Sequence, residues 1–275
     1  MAQMMTYSSK DTWIHRLSGS TKMIFFVAWS IVGMVTYDTR VLLFMLAFSS
    51  ILFRISKTEY RQVATVLKVI GFFLTINLIA IFFFSPDQGV SVYGTRTELW
   101  HWFGPYTFTR EQLFYEFNVM LKYLTVIPVA LLFIVTTNPS EFAASLNKLG
   151  VKYSIGYSIA IALRYIPDVQ KDFREIKQAQ EARGIDMSKN AGLGKRIKGM
   201  TAIMFPLIFS SLERIDVVSH AMELRGFGKH KKRTWYSARP FEKSDILAIL
   251  FLAAFTLISM LVTFADGSRF YNPFA

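Results

Sequence analysis

The sequence predicts an all-α polytopic membrane protein with about five transmembrane helices and a cytoplasmic platform of three helices. Hydrophobic residues make up 52% of the 275 residues, and only 18% are charged. The apolar residues form long uninterrupted runs, which are typical of membrane proteins rather than of soluble domains. The net charge of +12 is concentrated between particular runs. Since this distribution is normal for cytoplasmic segments of membrane proteins, we expect no nucleic acid partner.

Residues 1–137 are predicted to hold an N-terminal surface segment and transmembrane helices 1–4. Residues 8–22 mix apolar and basic side chains, which fits a segment on the membrane surface, although a disordered tail fits equally well. The uncharged runs 23–37 and 41–53 are shorter than the ~20 residues that cross a bilayer upright. They form either core helices or a short helical hairpin with snorkelling flanks, and the neighbouring runs favour the hairpin.

Three longer apolar runs complete the predicted spans. Runs 69–86 and 123–140 have 18 residues each, and run 246–265 has 20. Residues 85–118, between the third and fourth spans, are polar and aromatic and are expected to form a loop. Residues 244–275 hold transmembrane helix 5 and a short external tail.

The charge bias between the spans predicts the orientation of the chain. Segments 1–22, 54–62 and 138–243 carry net charges of +2, +2 and +9, whereas segment 85–118 carries −2. Because basic segments stay in the cytoplasm, the N-terminus and residues 138–243 are predicted to be cytoplasmic. The 85–118 loop and the C-terminus are then external.

Residues 138–243, here called the platform, are predicted to form three helices. The first begins at residues 138–141, which provide a polar cap, a proline and an acid, and it ends near Gly150. The second changes from apolar to amphipathic along residues 153–183. A polar linker, residues 186–198, precedes a third apolar segment that we expect Pro206 to break.

One short pattern occurs twice in the platform. Residues 179–184 read AQEARG, and residues 221–226, which lie 42 positions further on, read AMELRG. A glycine just past a helix ends it in the left-handed conformation, and the arginine fork can reach a partner's carboxylates or carbonyls. One copy alone is explained as an ordinary capped helix end, but two copies in register favour a dimeric partner. The predicted contact residues are Glu181, Ala182, Arg183, Gly184, Glu223, Leu224, Arg225 and Gly226.

The apolar parts of the platform predict a second contact surface. They are too short to span a membrane, yet they are too apolar to face water. Gly156 and Ala160 are four residues apart, so another helix can approach closely there. The predicted contacts are Gly156, Ile159, Ala160, Phe205 and Phe209, and the alternative is packing within the chain.

At these positions the chain resembles the transmembrane T component (EcfT family) of energy-coupling factor (ECF) transporters, which take up vitamins and micronutrients in prokaryotes. The resemblance covers roughly residues 10–240. It is carried by WIHRL at residues 13–17, NPSE at 138–141, RYIP at 164–167 and the two Arg–Gly motifs.

The resemblance implies an L-shaped, non-enzymatic coupling subunit of an ABC importer in the prokaryotic cell membrane. Two ATPase subunits would hold the ends bearing Arg183 and Arg225, and they would bind ATP and Mg, so no cofactor is expected in this chain. A substrate-binding S component would cover the apolar face and would select the transported compound. Leu224 departs from the family, where alanine is commoner, and the 85–118 loop is longer than in compact members.

Two other function classes are compatible with a membrane protein. A conventional permease needs polar groups in mid-span, where Asn77 is the only such side chain beyond hydroxyls. A membrane-embedded enzyme needs convergent catalytic groups, but the acidic cluster of Asp168, Asp172, Glu175 and Asp186 has the spacing of a solvated helix face. The histidines lack metal-ligand spacing, and no phosphate-binding glycine loop is present. We therefore predict no catalytic residue and no metal site.

Overall fold

The computed structural model describes residues 12–103, 106–185, 192–229, 234–235 and 239–274. Within these residues the chain forms ten α-helices and one two-stranded hairpin, which confirms the all-α polytopic fold class. The elements are α1 (Trp13–Arg16), α2 (Gly19–Val35), α3 (Thr39–Ile55), α4 (Tyr60–Phe84), α5 (Gln88–Tyr93), β1 (Glu98–Phe103), β2 (Tyr106–Thr109), α6 (Arg110–Thr136), α7 (Pro139–Lys148), α8 (Tyr153–Ala182), α9 (Leu193–Leu224) and α10 (Lys243–Ala265).

The chain divides into two compact units. The membrane unit comprises residues 1–141 and 239–275, and the second unit comprises residues 142–238. The start of the predicted surface segment, residues 8–11, lies outside the described residues.

Three described helices are long and apolar enough to cross a bilayer: Val63–Phe84 within α4, Arg110–Thr136 and Lys243–Ala265. The two helices of the predicted hairpin, α2 and α3, have 17 residues each, so they are longer than their uncharged runs but still short for an upright crossing. Polar residues cap the starts of both helices ahead of the uncharged runs. Ser18 accepts a hydrogen bond from Thr21 N at the start of α2, and Asp38 accepts one from Arg40 N at the start of α3.

The centre of the membrane unit is an apolar cluster between α2, α3, α6 and α10. Its fully buried members include Trp29 and Met45, and Phe255 of α10 stacks on Trp29 with ring centroids 4.8 Å apart. The Trp29 indole N–H donates to the carbonyl of Thr125 in α6 over 3.3 Å. A second cluster joins α4 to α6 through Val63 and the buried side of α6. Helix α6 is therefore the central helix of the membrane unit, since it packs against α2, α3, α4 and α5.

Residues 85–118 are folded, which corrects the expectation of a loop. They hold α5, the antiparallel β1–β2 hairpin and the first turns of α6. The fully buried carboxylate of Glu111 organises this segment, because it accepts hydrogen bonds from Thr97 N at 3.0 Å and from the hydroxyls of Thr95 and Thr97 at 3.1 and 2.9 Å. These contacts fix the start of the hairpin beside the start of α6.

The second unit contains most of α7, with α8 and α9. Pro206 lies inside an unbroken α9, so the predicted break is wrong. A proline removes the N–H that would bond the carbonyl four residues earlier, which is that of Ala202. The Gln180 side chain of α8 donates to this carbonyl over 3.3 Å and so replaces the missing donor. The predicted linker 186–198 is also too long, since α9 begins at Leu193; residues 186–191 lie outside the described residues.

Candidate partner-binding helix ends

The first Arg–Gly motif ends α8 in a Schellman turn. Arg183 is the C-cap, and Gly184 has φ +85°, in the left-handed region that favours glycine. The N–H of Gly184 donates to the carbonyl of Glu181 at 3.0 Å, and the N–H of Ile185 donates to that of Gln180 at 3.1 Å. These are the two hydrogen bonds that define a Schellman turn, so the backbone of the motif has a defined conformation.

The second motif ends α9 in the same way. Arg225 is the C-cap, and Gly226 has φ +67°. The N–H of Gly226 donates to Glu223 O, and the N–H of Phe227 donates to Met222 O, both over 2.9 Å. The C-cap angles are −84° and 7° at Arg183 and −82° and 7° at Arg225, so the two ends present nearly identical backbones.

Both ends are open to solvent. Arg183 and Arg225 are exposed, and the Leu224 side chain is 90% exposed, which is the largest exposure among the exposed large hydrophobic side chains of the described residues. Glu181 pairs with Lys177 one turn earlier at 3.6 Å. The other predicted contact residues are Ala182, Gly184 and Glu223, which are exposed, and Gly226, which is partly buried. Each end therefore offers an arginine and an accessible final turn.

The two ends lie at opposite ends of an antiparallel helix pair. Tyr157 and Phe227 are in ring contact at 4.8 Å, the Arg214 guanidinium bonds the Asp172 carboxylate at 2.7 Å, and Gln180 bonds Ala202. Residue numbers in α8 rise along this series while those in α9 fall, so the helices run in opposite directions. At 1.5 Å per residue, the ends are separated by about 40 Å.

An aromatic cluster anchors the second end. Phe227, directly after the motif, contacts Tyr153 and Tyr157 at the start of α8, and Trp235 lies 5.2 Å from the Tyr153 ring. The indole N–H of Trp235 donates to the Asn147 side chain of α7 over 3.2 Å. The cluster thus joins α7, α8 and the residue that follows the α9 motif at one place, which anchors the end of α9.

Gln180 supports the first motif, and the sequence analysis assigned it no role. Its backbone carbonyl closes the Schellman turn of the first motif, and its side chain satisfies the carbonyl that Pro206 leaves free. The first motif is therefore tied to the middle of α9. Two features of the sequence could have indicated this contact. One is the glutamine inside the first motif, and the other is Pro206, a proline inside an otherwise helical segment.

The predicted apolar contacts separate into two groups. Phe205 and Phe209 are 61% and 62% exposed, whereas Ile159 and Ala160 are partly buried. Gly156 is buried inside the second unit, where an added Cβ would lie 3.2 Å from Ala143 O and 3.3 Å from the Trp235 ring. The space at Gly156 is therefore filled by packing within the chain, which favours the alternative given above for this residue over a partner contact.

One face of α9 carries a run of exposed apolar side chains. The side chains that form this face are all exposed: Met200, Met204, Phe205, Ile208, Phe209 and Leu212. Ile203 and Leu207 lie on the opposite side of the helix and are buried. Because α9 packs on α8, this face points away from α8.

The acidic residues of α8 form surface ion pairs. Asp172 bonds Arg214, and Glu175 lies 3.7 Å from Lys171 one turn earlier. Among the described residues, no group of three acids or histidines is placed to hold a metal ion. The Asp172–Arg214 pair links α8 to α9, whereas the Glu175–Lys171 pair lies on the exposed surface of α8.

Comparison with known proteins identifies the family. Residues 10–236 match the CbiQ family, described as cobalt transport protein. Similar proteins described as energy-coupling factor transporter transmembrane protein EcfT occur in Leuconostoc gelidum subsp. gasicomitatum (26% identity over 260 residues, 92% of this chain and 93% of the relative), Streptococcus equi subsp. equi (28% over 253, 89% and 90%) and Streptococcus thermophilus (27% over 267, 92% and 95%). The chain therefore belongs to the CbiQ family, as a multi-pass transmembrane component of an energy-coupling factor transporter.

Proposed function

We propose that this chain is the non-enzymatic coupling subunit of an ECF-type importer. It transmits the ATP-driven motion of two ATPase subunits to a substrate-binding S component. The observation that carries this proposal is the pair of matching Arg–Gly helix ends at opposite ends of the α8–α9 pair. The family membership supports a transporter subunit rather than an enzyme.

The separation of the ends favours two ATPase subunits over one. The ends are about 40 Å apart, whereas a small domain is about 30 Å across. A single domain of this size cannot bind both ends through one surface. Two copies of one domain can each bind one end, because the two ends present the same backbone conformation. Because Arg183 and Arg225 share their C-cap geometry, two identical grooves fit them.

Each end suits a contact that transmits force. The C-cap arginine offers several N–H donors to carboxylates or carbonyl oxygens of a groove, and such charge-assisted bonds are short and directional. The Schellman turn keeps the backbone fixed, so that movement of the groove moves the whole helix rather than bending its last turn. ATP and Mg are bound by the ATPases, and this chain supplies no catalytic group.

The exposed face of α9 suits the S component. Phe205 and Phe209 present two large rings on a face that no other described segment covers. Apolar patches of this kind mark protein contacts, and an S component embedded in the membrane offers a matching apolar surface. Ile159 and Ala160 on α8 are partly buried and are proposed to make a smaller contribution to the same contact.

The transported compound belongs to the vitamins or micronutrients. Cobalt is one candidate, because the matching family is described as cobalt transport protein. The S component selects the compound, and this chain transmits the movement of the ATPase subunits to it.

The proposal requires the second unit to face the cytoplasm, where ATP is available, and this can be tested by thiol labelling. The chain has no cysteine, so the assay has no background. Arg96 and Lys171 are both exposed, Arg96 within residues 85–118 and Lys171 on α8. We expect an impermeant maleimide to label the Arg96→Cys variant in intact cells and the Lys171→Cys variant only after lysis. Labelling of the Lys171→Cys variant from outside contradicts the proposed function.

A further inference from the structure

Two buried carboxylates from distant parts of the chain bind the start of α2. The backbone N–H of Ser18 donates to the Asp245 carboxylate, and that of Gly19 donates to the Glu141 carboxylate, both over 2.8 Å. Asp245 is 1% exposed and Glu141 is 4% exposed. The first N–H groups of a helix have no partner within the helix and carry its positive end, so both contacts are favourable.

Two cations complete the cluster. The Lys22 ammonium donates to the carbonyl of Thr136, the last residue of α6, over 2.8 Å, and to that of His15 over 3.3 Å. The Arg239 guanidinium donates to the same His15 carbonyl over 3.1 Å and lies 3.7 Å from Glu141. We call Lys22, Glu141, Arg239 and Asp245, with the start of α2, the clamp.

The clamp lies where the chain leaves the membrane unit and where it returns to it. All of its residues belong to the membrane unit, in which Glu141 is the last residue before the second unit and Arg239 is the first residue after it. Both covalent connections to the second unit therefore begin at residues that are paired with each other. Glu141 also lies in the first turn of α7, and Asp245 lies in the first turn of α10.

We propose that the clamp is the joint through which movement of the second unit reaches the transmembrane helices. This inference rests on the proposed coupling function. Glu141 and Arg239 act as positioning residues. Glu141 ties the first connection to the start of α2, and Arg239 ties the second connection to Glu141 and to the His15 carbonyl of α1. Lys22 and Asp245 tie α2 to α6 and α10. Movement of the connections is then passed to three helices of the membrane unit at once.

The chemistry of the clamp suits this role better than apolar packing does. The hydrophobic effect is non-directional, so apolar burial alone specifies the relative position of two helices less sharply than hydrogen bonds do. Charge-assisted hydrogen bonds fix both distance and direction, and buried polar networks become rigid when their groups are paired. The clamp also gives a role to two segments that carried the family resemblance, residues 13–17 through the His15 carbonyl and residues 138–141 through Glu141.

The test uses the whole transporter complex, purified through a tag on this chain and reconstituted in liposomes. ATP hydrolysis is measured together with uptake of a panel of radiolabelled B vitamins and cobalt. We expect Glu141→Ala to leave the complex assembled and hydrolysing ATP, while uptake per ATP hydrolysed falls by about tenfold or more. Glu141→Gln keeps an acceptor for Gly19 N, so it should restore a large part of the ratio.

The exposed pair of Glu175 and Lys171 provides the matched control, and Glu175→Ala should leave the ratio unchanged. If Glu141→Ala does not accumulate, Arg239→Ala provides the same test, because Arg239 is half exposed. An unchanged ratio, or a parallel loss of assembly, hydrolysis and uptake in both variants, overturns the clamp proposal. Replacement of Arg183 and Arg225 distinguishes the two proposals: if that replacement abolishes uptake while the clamp variants transport normally, only the clamp is wrong.

Discussion

Replacing Arg183 and Arg225 together with alanine is expected to abolish ATP-driven uptake while the protein still inserts into the membrane. Each arginine lost removes a charge-assisted contact worth about 1.5–3 kcal/mol. The ends are about 40 Å apart, so the two losses add. Together the two losses lower the affinity of this chain for the ATPase subunits by about 10²- to 10⁴-fold. The measurement is uptake by cells that contain equal amounts of each variant in the membrane.

Single replacements are expected to be milder, because each arginine meets a different ATPase subunit. Arg174 provides a control on α8, since it is exposed and donates to the Gln170 carbonyl one turn earlier in the same helix at 3.2 Å. Arg174→Ala should transport normally. A double variant of Arg183 and Arg225 with normal uptake would refute the coupling role of the helix ends.

Replacing Phe205 and Phe209 with serine is expected to release the S component while both ATPases stay bound. Burial of the exposed parts of both rings is worth about 2–4 kcal/mol. Its loss weakens S component binding by about 30- to 700-fold. The measurement is the composition of the complex that is purified through a tag on this chain.

Two further variants separate this contact from a general loss of structure. Val217→Ser changes an exposed side chain of α9 away from the Phe205 face, so it should keep every partner. Gly156→Leu forces a side chain against Ala143 and Trp235 inside the second unit, so it should lower accumulation and lose all partners together. If the Phe205 and Phe209 variant retains the S component, the exposed face of α9 is not its binding site.

Local chemistry explains why the fold class and the helix ends could be predicted from the sequence. Long apolar runs have few alternatives to membrane helices, and the helix content of the structure confirms this prediction. Gly184, Gly226 and Gly150 all have positive φ directly after a helix, where glycine is favoured regardless of its surroundings. These features depend on a few neighbouring residues, which a sequence displays directly.

Features that depend on distant residues could not be predicted. Pro206 does not break α9, because Gln180 reaches the freed carbonyl from another helix. Gly156 serves a contact with Ala143 and Trp235, although its spacing from Ala160 also fits a partner helix. In each case the sequence identified an unusual residue correctly, but tertiary contacts determine what that residue does.

The clamp is the clearest example of this limit. Gly19 and Glu141 are 122 residues apart, and Ser18 and Asp245 are 227 residues apart. Both acids stand beside apolar spans, where a carboxylate is compatible with a helix cap, an interfacial group or a functional site. Only the fold brings them to the same helix start.

The central claim is that each Arg–Gly end binds its own ATPase subunit, and photo-crosslinking tests it most directly. Ala182 and Leu224 directly precede the two arginines and are exposed, so each can carry a photoreactive amino acid. Either position alone should give an adduct of this chain with one ATPase subunit. Both positions together should give a chain that is joined to two ATPase subunits. A doubly substituted chain that never carries more than one ATPase, although each single position crosslinks efficiently, would contradict the account.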